Sequence, residues 1–252
     1  MEARKKAVTA ARQRRPTVNN ITAKMRTLSI PKVLETKGTI MKTLGNNNVE
    51  LQLSRDIVYT LKDIYELSAR EGIEIAGLIE CTFDTNYASF VGPTLRTNYK
   101  RTSVYFPHGT PLTKMTYHSH PAPQPTLGGT YVSVPSDTDL NTFIEVHKTG
   151  VIEANLILDQ QGMYVLDVLT PKENSRGKEM FDTILTEIKK VRGFDYIFKD
   201  TILLFNVDVN RWKNFINNRL DAIIIKKYGV SLRFYRWGDL PSAIVNTFPR
   251  SL

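Results

Sequence analysis

A mixed α/β (α+β) fold, with a largely antiparallel sheet flanked by helices, is what this sequence predicts, and three observations predict it. Amphipathic stretches with helical spacing alternate with short strand-like runs along the chain. The strand-like runs come in close pairs joined by turn residues, as antiparallel hairpins require. With 41% apolar residues in 252, the chain can bury one sizeable core and still carry extensions.

Residues 1–33 contain few large apolar side chains and no sustained periodicity, so they read as an arm ending near Pro31. From Ser54 to Arg70, Ile57, Leu61, Ile64, Tyr65 and Ala69 recur at helical spacing, with Ser54 as N-cap and Gly72 just beyond the end. Strand-like runs at 73–83 and 87–95 follow, separated by Asp84, Thr85 and Asn86. A strand over 112–119 ends at Pro121, and the proline-rich stretch 122–135 with its Gly-Gly pair reads as a loop. A helix is expected from Ser136 to about Lys148, stopped by Gly150. Runs at 151–159 and 163–169, joined by Gln160-Gln161-Gly162, form the next hairpin. Beyond Pro171 the pattern fits a helix over 175–192, a strand over 200–207, a helix over 210–228 stopped by Gly229, and a strand over 231–237 before a tail. The organisation expected is an arm (1–33), a main domain (34–171) and a C-terminal helical and strand extension (172–252).

Charge is uneven. Residues 1–33 carry nine Lys or Arg against Glu2, and residues 210–236 carry seven against Asp221. The rest of the chain holds 18 basic and 23 acidic residues and is mildly acidic. Basic ends of this kind suit an anionic partner, nucleic acid, an acidic protein or a membrane surface, although a solvated tail has the same composition. Cys81 is the only cysteine, which excludes an internal disulfide or a thiolate zinc cluster and favours a reducing compartment. No apolar run approaches the length of a membrane span and no secretory segment opens the chain. An intracellular location is expected, in cytoplasm or nucleus, or within a virion or other large complex.

With no usable thiolate, any metal must be held by imidazole and carboxylate, and only four histidines are available. Two of them stand in Tyr117-His118-Ser119-His120-Pro121. Side chains two apart on a strand share a face, so both imidazoles can converge on one ion while Ser119 points away. At Pro135-Ser136-Asp137-Thr138-Asp139 a helix begins, placing Ser136 and Asp139 in its first turn. That pair is also the pattern of an ordinary capping box, and Asp137 competes with Asp139 as a third ligand. Upstream, Glu74 interrupts an apolar run, and burying a carboxylate is unfavourable unless it has a partner or a task. His108 reads as a loop residue, and His147 as a favourable cation near a helix C-terminus.

Glu74 with Gly77-Leu78, then His118-Ser119-His120-Pro121, then Ser136-Asp137-Thr138-Asp139 together resemble the JAMM (MPN-plus) metalloprotease family, over roughly residues 50–170. Fourteen residues, 122–135, separate Pro121 from Ser136, more than is usual in that family. The resemblance implies a JAMM/MPN-like domain and a Zn2+ held by His118, His120 and Asp139. It further implies Glu74 as general base acting on water at the zinc, and Ser136 as donor to the oxyanion. It implies a peptidase or isopeptidase whose substrate is a conjugate of ubiquitin or a ubiquitin-like protein. The alternative expectation is a structural component of a large assembly, for example a virion or nucleoprotein complex, anchored by the basic arm.

Overall fold

The computed structural model describes residues 34–44, 48–83, 87–95, 109–121, 130–150, 152–170, 172, 176–199, 202–239 and 244–247, all within the unit Lys32–Leu252. The predicted arm, the 84–86 turn, His108 and residues 122–129 lie outside the described residues. The fold is mixed α/β, as expected. In chain order it comprises β1 (Leu34–Leu44), β2 (Asn48–Gln52), α1 (Arg55–Glu71), β3 (Ala76–Phe83), β4 (Tyr87–Gly92), β5 (Thr113–Ser119), β6 (Tyr131–Ser133), α2 (Asp137–Lys148), β7 (Ala154–Asp159) and β8 (Gly162–Val168). Then follow α3 (Gly177–Lys189), β9 (Asp195–Lys199), β10 (Ile202–Asn206), α4 (Val209–Phe215), a π-helical turn (Ile216–Leu220), α5 (Asp221–Tyr228), β11 (Val230–Arg236) and β12 (Ile244–Thr247).

Nine strands form the main sheet in the order β11-β8-β7-β5-β3-β4-β1-β2-β12, and β6-β10-β9 form a second, smaller one. Every pairing is antiparallel except β5 with β7. That exception has a cause in the chain: α2 lies between β5 and β7, and a helical crossover returns the chain in the same direction. β7 and β8 are buried at every residue, as strands covered on both faces must be. On one face Ile157, Tyr164 and Leu166 join a core with Phe143 and Ile144 of α2, Met180 and Ile184 of α3, and Trp212. α1 contacts β5 and β7 and carries its own buried row, Ile57, Leu61 and Ile64. Its ends follow the sequence signals: Ser54 Oγ accepts from Ile57 N at 3.3 Å, and Gly72 closes it at φ 65°, a conformation glycine adopts without strain.

Residues 172–252 complete both sheets. β11 pairs with β8 and β12 with β2, while β10 pairs with β6. The stretch expected as loop is thereby corrected: Tyr131–Ser133 is a strand, because Val132 and Val134 have a core to enter and β10 offers an edge to pair with. β1, β2, β9 and β12 were not anticipated from local pattern. The helix expected over 210–228 is interrupted by a π-helical turn. The altered register sets Asn217 beside β11, where its amide donates to Phe234 O at 2.9 Å and accepts from Phe234 N at 2.7 Å. Asp221 Oδ1 accepts from Leu232 N at 2.8 Å and from Ser231 Oγ at 2.9 Å. Side chains thus satisfy the outer edge of the terminal strand, which would otherwise invite pairing with another chain.

Candidate metal centre

β5 lies in the middle of the main sheet, between β3 and β7, and this places the histidines. His118 pairs with Ala76 on one side and Ile157 on the other. His120 follows the strand's last residue but still donates its N–H to Leu158 O at 2.8 Å, so its backbone is fixed as well. The two imidazoles share a face, as the period of two requires: His118 Nε2 and His120 Nε2 are 3.1 Å apart. The start of α2 brings the carboxylate. Asp139 Oδ1 is 3.1 Å from His118 Nε2, and Oδ2 is 3.2 Å from His120 Nε2.

Asp139 is both a capping residue and a member of the cluster. Ser136 Oγ accepts from Asp139 N at 3.1 Å, while Ser136 N and Oγ both donate to Asp139 Oδ2 at 2.7 Å. The capping box therefore anchors the carboxylate through Oδ2, which also faces His120, and leaves Oδ1 to His118. Asp137 is exposed and accepts from Thr138 N at 2.9 Å, which takes it out of the cluster. Ser136 stands at the site with its hydroxyl hydrogen bonded to Asp139. His147 also lies apart, donating through Nδ1 to Ile152 O at 2.8 Å.

Ser119 points away from the histidines, as expected, and its role there was not foreseen. Ser68 Oγ donates to Ile73 O at 2.6 Å, so Ser119 Oγ donates to Ser68 Oγ at 2.6 Å and accepts from Ile75 N at 2.9 Å. Ser119 N also donates to Ile75 O at 2.9 Å. These bonds grip the backbone on both sides of Glu74. That residue precedes β3 and is not inside it, a correction to the expected strand over 73–83. The break comes from α1, whose cap at Gly72 leaves residues 73–75 to join helix to sheet. Gly77, farther along, lies where Thr94 O and the Tyr117 ring pass: a Cβ would come within 1.8 Å of Thr94 O.

Electrostatics tie Glu74 to the cluster. Burial pushes its carboxyl up to about 7, with His120 opposing and Asp139 adding to the rise. For Asp139, burial works against ionisation, but His118 and His120 overcome it and hold the carboxyl well below its usual range. Burial disfavours the His120 imidazolium, and Asp139 outweighs that, so His120 lies above its ordinary value. Asp139 and His120 thus each favour the other's charged form.

Two imidazole nitrogens and a carboxylate oxygen, all within 4.8 Å of one another, could hold a metal ion. Ligands at about 2.0–2.2 Å around a tetrahedral ion lie roughly 3.3–3.5 Å apart, close to the contacts found here. Of the residues the sequence singled out, His118, His120 and Asp139 come together with Ser136 beside them, and Glu74 is coupled to them electrostatically. Two more were missed. His120 Nδ1 is 3.1 Å from Ser133 Oγ, which donates to Asp159 Oδ2 at 2.7 Å. Ser133 was hidden in an expected loop and Asp159 was expected only as the last residue of a strand; the Val132-Ser133-Val134 alternation is the one local signal for a strand there.

What fold and site define is a mixed α/β protein with a part-buried His-His-Asp cluster that could hold a metal ion. No protein-family model, no curated protein and no solved structure matches the chain.

Proposed function

We propose that this chain is a zinc-dependent peptidase or isopeptidase of the JAMM type, acting on conjugates of ubiquitin or a ubiquitin-like protein. The observation that carries the reading is a three-ligand cluster beside a carboxyl whose pKa burial raises to about 7. Three protein ligands leave a fourth position open, the arrangement of catalytic zinc sites. Bound there, zinc supplies Lewis acidity: it lowers the pKa of a water and polarises a carbonyl.

The chain's own residues supply the rest. Burial raises the Glu74 carboxyl towards neutrality, so its carboxylate can take a proton from water and return it to a leaving amine. The Ser68–Ser119 grip holds that carboxylate's backbone against the strand that carries both histidines. Asp139, fixed by the capping box, keeps its place without help from a bound ion. For Ser136 to donate to a developing oxyanion, its hydroxyl must leave Asp139 Oδ2.

A panel of ubiquitin chains and isopeptide-linked conjugates tests the reading. Cleavage that stops with chelator and in Glu74→Gln supports it; a zinc-loaded protein that cleaves no linkage in the panel contradicts it. A second reading, anchoring in a large assembly, is favoured by one observation: nine basic residues against one acidic in residues 1–33. The basic residues of 210–236 are less available for that purpose. Arg233 pairs with buried Asp167 at 2.7 Å, Lys213 with Asp239 at 2.9 Å and Arg219 with Glu187 at 3.4 Å. Among the described residues, no helix is long and apolar enough to cross a membrane.

A further inference from the structure

We propose that Ser133 and Asp159 are positioning residues of the metal centre: together they fix the ring of His120 with Nδ1–H bonded and Nε2 turned to the ion. The inference rests on the metal-centre reading above and adds to it a role for the insertion and the C-terminal extension.

Donor accounting carries it. Ser133 N donates to Asp159 Oδ2 at 2.9 Å, and Gln161 N donates to Oδ1 at 3.1 Å. Burial raises the pKa of Asp159 against these bonds, and in its ionised form the group is an acceptor only. The Ser133 hydroxyl hydrogen therefore goes to Oδ2 at 2.7 Å. That leaves Ser133 Oγ with lone pairs alone for the 3.1 Å contact to His120 Nδ1, so Nδ1 carries hydrogen and donates. In neutral His120 the free lone pair is then on Nε2, the atom that faces His118 and Asp139. A ligand histidine whose second nitrogen is held this way is oriented and made a better donor.

The same contacts show what holds Ser133. It is buried, and its carbonyl accepts from Tyr164 Oη at 2.6 Å, whose oxygen accepts in turn from Trp212 Nε1 at 2.9 Å. Its strand pairs with β10, with Ser133 opposite Leu204. Trp212 and β10 belong to residues 172–252, and Ser133 to the long stretch between Pro121 and Ser136. The insertion and the extension thus build the second support of a histidine that the main sheet supplies.

The test uses the full chain and Co2+ or Zn2+ alone. Zinc-loaded wild-type protein carrying 15N-histidine is expected to show a slowly exchanging Nδ1–H on His120, assigned by its loss in His120→Gln. Ser133→Ala and Asp159→Asn are expected to weaken metal binding about 10–100-fold and to alter the Co2+ visible spectrum. Ser133→Thr, which keeps a hydroxyl, is expected to restore most of the affinity. Circular dichroism and melting separate these effects from unfolding. A zinc-loaded wild type with Nε2 protonated, or a folded Ser133→Ala with wild-type affinity and spectrum, overturns the positioning role while leaving the metal centre intact. A wild type that binds neither metal overturns both.

Discussion

Replacing Ser119 with Ala removes one oxygen between the two histidines without touching either, and its effect can be worked out bond by bond. Ser119 is fully buried, and its hydroxyl is the middle link of a chain from Ile75 N–H through Ser68 Oγ to Ile73 O. Ser68 keeps its bond to Ile73 in the variant. Ile75 N–H loses its acceptor in a place closed to water, and an orphaned buried donor costs about 1–3 kcal/mol. A methyl fits where a hydroxymethyl stood, so the cavity contribution is small. For a chain of this size each kcal/mol lowers Tm by roughly 2–4 °C, so thermal unfolding of metal-free Ser119→Ala is expected ~2–12 °C below wild type. Because the freed amide lies next to Glu74, any cleavage activity falls further than metal affinity does. An unchanged Tm would refute a stabilising role for the Ile75 N–H bond to Ser119. A lowered Tm with undiminished turnover would refute the link to Glu74.

Four further outcomes are expected. Glu74→Gln is expected to lose about 10²–10⁴-fold in turnover, the usual contribution of a general base, while still binding metal. Burial raises the Glu74 carboxyl of the metal-free protein to about 7, so an NMR titration of that form should show it ionising near neutrality, and ionisation already complete at pH 5 would contradict the assignment. Burial raises the pKa of Asp221 despite its bonds from Leu232 and Ser231. A carboxyl whose folded pKa lies above its unfolded one destabilises the fold as pH rises through that interval. In denaturant melts Asp221→Asn should therefore gain on wild type above about pH 4 and lose that advantage below it; a constant difference across pH would count against this. Deleting residues 1–33 is expected to weaken salt-sensitive binding to a nucleic acid or acidic protein while sparing turnover. Equal binding in both forms, measured by salt titration, would remove the arm's role.

Legibility in the sequence followed the range of the interactions. α1, α2 and the β7–β8 hairpin announce themselves locally through Ser54, Ser136, Gly72 and the Gln160-Gln161-Gly162 turn, and each is found within a few residues of its expected place. β6 and β12 are three and four residues long and exist through partners far along the chain, β10 and β2, which no local pattern names. The π-helical turn is likewise specified by what Asn217 reaches on β11 and not by its own helix. At the site, the period of two was enough to bring His118 and His120 together. The choice between Asp137 and Asp139 needed the helix start itself, since one carboxylate serves the capping box through Oδ2 and faces the histidines with both oxygens. Ser133 and Asp159 were out of reach because their meeting with His120 depends on a strand that the extension completes.

Titration of the metal-free protein with Zn2+ tests the central claim most directly. One equivalent should bind, raising stability by about 2.7 kcal/mol when free zinc stands a hundredfold above Kd, or ~5–11 °C in Tm. The stoichiometry and the shift should vanish in His118→Ala, His120→Ala and Asp139→Ala. No binding by the wild type, or equal binding by these variants, would contradict a metal centre at these three residues.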